Sequence, residues 1–122
     1  MSDKKPKNIG RMARNKGAGG ERELAKELER LLNCEAHRGR QFSGSPESPD
    51  VKTTIDGVHW ECKRTEALSL YPAVEQAKWD SGEGNIGVVA HRRNNRKWLF
   101  ICELDDLPTV VMRLYLGMVD RS

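Results

Sequence analysis

Asp50, Glu61 and Lys63 have side chains and a spacing that suit chemistry on a phosphate. In "VHWECKR", residues 58 to 64, an extended backbone sends alternate side chains to opposite faces. Val58, Trp60 and Cys62 then point one way, and His59, Glu61 and Lys63 the other. One face is built to pack and the other carries charge. Asp50, behind Pro49 at the start of a neighbouring strand, can bring a second carboxylate within bridging distance of Glu61. Two carboxylates with water in the remaining positions suit a hard cation, Mg²⁺ or its substitute Mn²⁺. Lys63, one pleat from Glu61, can hold an attacking water or offset charge building on a phosphate. Taken alone, an acid and a lysine two residues apart equally describe the solvated face of an edge strand. A further convergent acid shifts the balance towards a site.

Glu21 is that acid. In "ERELAKELERLL" the leucines fall at helical spacing. On a wheel of about 100° per residue, Leu24, Leu28 and Leu32 lie within about 60° of Glu21, while Glu23 lies near 200°. Glu21 therefore heads the buried stripe and Glu23 faces water. A carboxylate on the core side of a helix is costly to desolvate unless a cation, a donor or a metal meets it. The plainer alternative is an acid serving the helix dipole, usually worth under about 1 kcal/mol.

The elements that must position these residues can be read in order. The helix of residues 21–32 is followed by "CEAHRGRQF" as a strand and by the loop "FSGSPESP". Residues 50–54 form a strand turned at Asp56-Gly57 into the strand of residues 58–64. Tyr71-Pro72 starts a helix that runs to about Trp79, with Gly82 and Gly84 beyond it. "NIGVVAHR" and "KWLFICEL" are strands joined by "RNNR", the second apolar enough for an interior strand covered on both faces. Residues 107–118 form a last amphipathic helix that packs on the sheet or on a partner. This order predicts an α/β fold, a mixed central sheet flanked by helices.

At 122 residues the chain fits one domain. Its 37% apolar and 32% charged content describes a small core under a charged surface, and its apolar clusters exclude wholesale disorder. Residues 1–20 hold six Lys/Arg against one Asp, about +5, and the remaining residues fifteen against seventeen acids, about −2. The expected organisation is a flexible basic arm, 1–18, that orders on a polyanion, ahead of a single domain, 19–122. Cys34, Cys62 and Cys102 are widely spaced and read as reduced thiols of an intracellular protein. No run reaches membrane-spanning length and the N-terminus lacks the apolar core of a signal peptide, so a soluble, cytoplasmic protein with no membrane partner is expected.

"PD" at Pro49-Asp50 followed by "ECK" at Glu61-Cys62-Lys63 resembles the PD-(D/E)xK nuclease superfamily. "KGAGGERELAKELER" ahead of it resembles the first helix of archaeal-type Holliday-junction resolvases and their phage relatives. The resemblance covers roughly residues 16 to 80. It implies a restriction-endonuclease-like fold with Glu21, Asp50 and Glu61 as the acidic metal-site residues and Lys63 as the catalytic lysine. It also implies Mg²⁺-dependent hydrolysis of four-way DNA junctions by a homodimer, with no small-molecule cofactor, in an intracellular enzyme encoded by a phage or its host. Arg22 matches a family position that contacts DNA, and Gln76 an accessory polar position. A serine of the loop before Pro49 is functional in these resolvases, with Ser43 or Ser45 favoured here over Ser48.

Arg11, Arg14, Lys16, Arg22, Arg38 and Arg40 are the phosphate-contacting set the sequence offers. His37, His59 and His91 show no ligand spacing and read as structural or peripheral. Arg92, Arg93, Arg96 and Lys97 read as a solvated hairpin end in preference to a second phosphate patch. The alternatives to a resolvase are another PD-(D/E)xK endonuclease acting on duplex, flap or single-stranded DNA, and a non-catalytic DNA-binding module of the same fold. Candidate dimer contacts are the surface around Trp79 and "VVMRLYLGM" near the C-terminus.

Overall fold

Residues 58–64 form a strand as predicted, but on the face expected to carry charge His59 and Glu61 are buried along with Trp60 on the other. In the computed structural model, which describes residues 7–39 and 49–120, with residues 7–16 in their backbone alone, residues 58–64 form the central strand of the sheet. The elements in order are α1 (Lys7–Leu32), β1 (Ala36–Arg38), β2 (Val51–Thr53), β3 (Val58–Arg64), α2 (Leu70–Ser81), β4 (Ile86–Arg92), β5 (Leu99–Ile101), a 3-10 turn (Leu104–Asp106) and α3 (Leu107–Val119). The five strands lie in the order β1-β2-β3-β4-β5. Only the β3–β4 pair is parallel, running from Val58 opposite Ile86 to Arg64 opposite Arg92, because α2 carries the chain back between them. The other pairs are antiparallel. A five-stranded mixed sheet flanked by three helices is a restriction-endonuclease-like α/β fold.

The alternation sorts β3 and β4 between two apolar clusters. Val58, Trp60, Ile86, Val88 and Ala90 pack with Leu24, Ala25 and Leu28 of α1 and Val110 of α3. On the opposite face Val89 packs with Ala73, Val74 and Ala77 of α2. Trp60 is fully buried, with the ring of Phe100 edge-on at 5.8 Å. β4 is covered on both faces, which is why "IGVVA" is an unbroken apolar run.

Two expectations need correction. "KWLFICEL" is not an interior strand: β5 has three residues, lies at the sheet edge and leaves Leu99 56% and Phe100 46% exposed. An apolar run does not distinguish a strand covered on both sides from an edge strand whose apolar face is left bare. The first helix also begins earlier than its leucines imply. Residues 7–18 of the expected arm belong to α1, whose Lys, Arg, Met and Ala residues favour helix. Residues 1–6 lie outside the described residues.

Glycines set how closely the helices approach the sheet. A Cβ on Gly20 would lie 2.7 Å from Arg64 Cβ, so α1 crosses β3 there at a distance only glycine permits. A Cβ on Gly87 would lie 2.3 Å from the carbonyl oxygen of Ala77, directly under α2. We therefore expect Gly87→Ala to cost about 1–3 kcal/mol through overpacking. Gly19→Ala, in open space on α1, should instead add about 0.5–1 kcal/mol. Urea denaturation of the two variants checks both signs.

Candidate active site

β2 ends its pairing with β3 almost as soon as it starts. Val51 lies opposite Trp60, and the Asp50 N–H donates to the Trp60 carbonyl at 3.0 Å. One step further along β3, the Cys62 N–H donates at 2.8 Å to Asp50 Oδ2, so the side-chain carboxylate takes the place of a ladder carbonyl. The Asp50 carboxylate is thereby fixed at the edge of β3, flanking Glu61.

Glu61 is 7% exposed, on the face covered by α2. Burial is the main cause that pushes its carboxyl up, to about 7; a hydrogen bond from His59 opposes the rise, and the charge of Asp50 and a hydrogen bond with it add to it. Asp50 and Glu61 are thus in direct contact, as the sequence led us to expect. Two carboxylates so close, one of them buried, need a shared proton or a cation between them. Two carboxylates with open positions for water fit Mg²⁺ or Mn²⁺, which bind through one or two carboxylates and keep several waters. Lys63 is half-buried, one pleat beyond Glu61 on the same face, and its ammonium makes no ion pair with a described residue.

Glu21 is placed otherwise. It is buried, 7% exposed, as its wheel position implies, but its Oε1 accepts from Arg38 Nε at 2.8 Å. The cation that meets this buried carboxylate is Arg38, which was read as a phosphate contact. Among the described residues no group of three or more His, Cys, Asp or Glu converges to hold a metal. Glu21 does lie near Cys62: burial first, and then the charges of Asp50, Glu21 and Glu23, push the Cys62 thiol up to about 12. Cys62 is therefore an inert, protonated thiol and not a nucleophile.

Glu23, expected to face water, joins Arg92 in an ion pair and lies 3.7 Å from Arg64 Nε. Arg22 is exposed and lines a groove between α1 and β1 with Lys26, Glu29 and His37. Gln76 is exposed on α2, away from the stripe of Ala73, Val74 and Ala77 that packs on the sheet. The side chains of Arg11, Arg14 and Lys16, and Arg40, Ser43, Ser45 and Ser48 altogether, lie outside the described residues.

His59 was passed over as structural or peripheral. It is 5% exposed, and its Nε2 lies 2.7 Å from Glu61 Oε1, a hydrogen bond in which an ionised Glu61 accepts. Holding one oxygen of Glu61 leaves the other to face Asp50 or a cation. The available signal was its place two residues before Glu61, on the same face of an alternating strand.

Comparison of the chain with protein-family models and with curated proteins returns no match.

Because Glu61 holds its proton up to about 7 in the folded chain but only to 4.5 in its ordinary range, the folded state carries more protons between those values. Metal-free stability should accordingly fall as pH rises from about 4.5 to 7 and level off above, by at most about 3 kcal/mol. Urea denaturation in EDTA at pH 5 and pH 7.5 measures the decline, and Glu61→Gln should flatten it.

Proposed function

We propose that the chain is a metal-dependent endonuclease that hydrolyses DNA phosphodiesters, with a four-way junction as its substrate. The observation that carries this reading is the contact between Asp50 and a buried Glu61 whose carboxyl is pushed up to about 7, with Lys63 one pleat away. A chain that only bound DNA would gain nothing from forcing two acids together beside phosphates. The restriction-endonuclease-like fold supports the nuclease class, and the helix-start resemblance at Glu21 supports the junction as substrate.

Asp50 and Glu61 are the residues that would hold Mg²⁺, or Mn²⁺ in its place. Such an ion supplies Lewis acidity at the phosphate and a lowered pKa for a nucleophilic water. The chain's own part is positional and electrostatic. The Cys62 N–H fixes the Asp50 carboxylate, and His59 fixes one oxygen of Glu61. Lys63 offers an ammonium to the oxygen on which charge grows in the transition state, where stabilisation accelerates the chemical step. Glu21, held by Arg38, acts beside this pair as an outer acid.

A four-way junction has two-fold symmetry, and a two-fold dimer is the simplest device for paired cuts. Trp79 on α2 and Val111, Met112, Tyr115 and Leu116 on the outer side of α3 are exposed apolar side chains that such a dimer would cover.

Lys63→Ala should lower the cleavage rate on the order of 10²–10³-fold, and Glu61→Gln at least as far, in a gel assay with a labelled four-way junction, its matched linear duplex and Mg²⁺. Normal cleavage by Glu61→Gln protein would sink the assignment. Cuts in the duplex as well as the junction would place the chain among the general PD-(D/E)xK endonucleases.

A further inference from the structure

A groove of about 590 Å³ runs between α1 and the end of the β4–β5 hairpin, with the half-buried Trp98 at its base. One wall is a single stripe of α1: Glu23, Lys26, Glu27 and Arg30, spaced three and four residues apart. The other is Arg92, Arg96 and Lys97 of the hairpin. Both acids in the groove are committed. Glu23 pairs with Arg92, and Glu27 with Arg30 at 2.9 Å. Arg92 is further fixed through its Nε–H, which donates to the Arg96 carbonyl at 2.6 Å. That leaves Lys26, Arg96 and Lys97, all exposed, with no ion pair to any described residue. The walls feel each other electrostatically: Glu27 is lowered first by its hydrogen bond to Arg30 and further by the charges of Arg92 and Lys97 across the groove.

We propose that this groove binds the phosphodiester backbone of DNA through Lys26, Arg96 and Lys97, with the Glu23–Arg92 pair tying the two walls together. The inference rests on the nuclease reading and adds to it a backbone-binding surface apart from the Asp50–Glu61 pair. The groove meets β3 at the Glu23–Arg64 contact, at the end of the strand and on its α1 face, the face opposite Lys63. Lys26 is also one helical turn from Arg22, so one basic track runs from the start of the leucine stripe into the groove. Cations on facing walls, unpaired and able to rotate onto successive phosphates, suit a sequence-independent polyanion.

The test is fluorescence-anisotropy binding of a labelled duplex and a labelled four-way junction in EDTA across a salt series, with wild-type protein and the triple variant Lys26→Ala/Arg96→Ala/Lys97→Ala. Each phosphate contact contributes about 0.9 to the salt slope on duplex DNA. The triple variant should therefore lose roughly 2 to 3 from that slope, and bind at least about tenfold more weakly at 100 mM salt, with an unchanged melting temperature. Lys97→Glu alone, which touches no described partner, should weaken binding in the same direction and guards against a folding defect in the triple variant. Arg93→Ala, on the same hairpin but outside the groove, should leave the slope unchanged. If the variants bind with wild-type slope and affinity while wild-type protein cleaves, the groove assignment is overturned and the nuclease reading stands. Wild-type protein that neither binds nor cleaves overturns both.

Discussion

The contact between Asp50 and Glu61 is an unfavourable one in water-free surroundings, and the scaffold around it holds it in place. It sets a carboxylate at the β2–β3 edge against one that α2 has taken out of water, and like charges so placed repel unless something intervenes. Burial alone would only raise the titration of Glu61, and the neighbour alone would only spread the two protonation steps. Together they make a place where a proton or a divalent cation relieves both. The scaffold holds the contact in being: Asp50 is tied by its N–H to Trp60, and its carboxylate cannot swing away to solvent without giving up the Cys62 N–H.

That rigidity comes from β3 and β4. Their parallel pairing is continuous over seven residues on each strand, and β4 is buried on both faces, so the strand bearing Glu61 and Lys63 sits against the best-packed element of the sheet. The two helices close on it at glycines: Gly20 lets α1 bring Glu21 beside Cys62, and Gly87 lets α2 lie over the sheet next to Glu61. At the end of β3, Arg64 and Arg92 share Glu23, which ties α1 to both strands with ionic contacts where the apolar core runs out.

Much of this was legible in the sequence because it follows from periodicity. The period-2 alternation of residues 58–64 placed Glu61 and Lys63 on one face, and the helical wheel placed Glu21 on the buried stripe of α1. The runs for α2, β4 and α3 gave the order of elements along the chain, and with it a mixed sheet flanked by helices. What periodicity does not carry is who meets whom. Glu21 is buried as its angle demands, but its partner is Arg38 on β1, seventeen positions away across a loop, and no local pattern selects that arginine over its neighbours. Glu23 was assigned to water for the same reason, since the arginine that meets it lies on β4. The edge position of β5 was hidden because "KWLFICEL" is apolar whether or not a further strand covers it. His59 stood in plain view two residues from Glu61, and its contact needed only the alternation already in use.

On the proposed reading, Asp50 and Glu61 together form a divalent-cation site. Isothermal titration of Mn²⁺ into the folded protein at pH 8, beside the Asp50→Asn variant, tests it most directly. Asparagine keeps an oxygen for the Cys62 N–H and so spares the strand edge, yet removes the charge. Saturable Mn²⁺ binding by the wild-type protein is expected, and its loss in Asp50→Asn while the circular dichroism spectrum is kept. Equal binding by both proteins, or none by either at millimolar Mn²⁺, would contradict it.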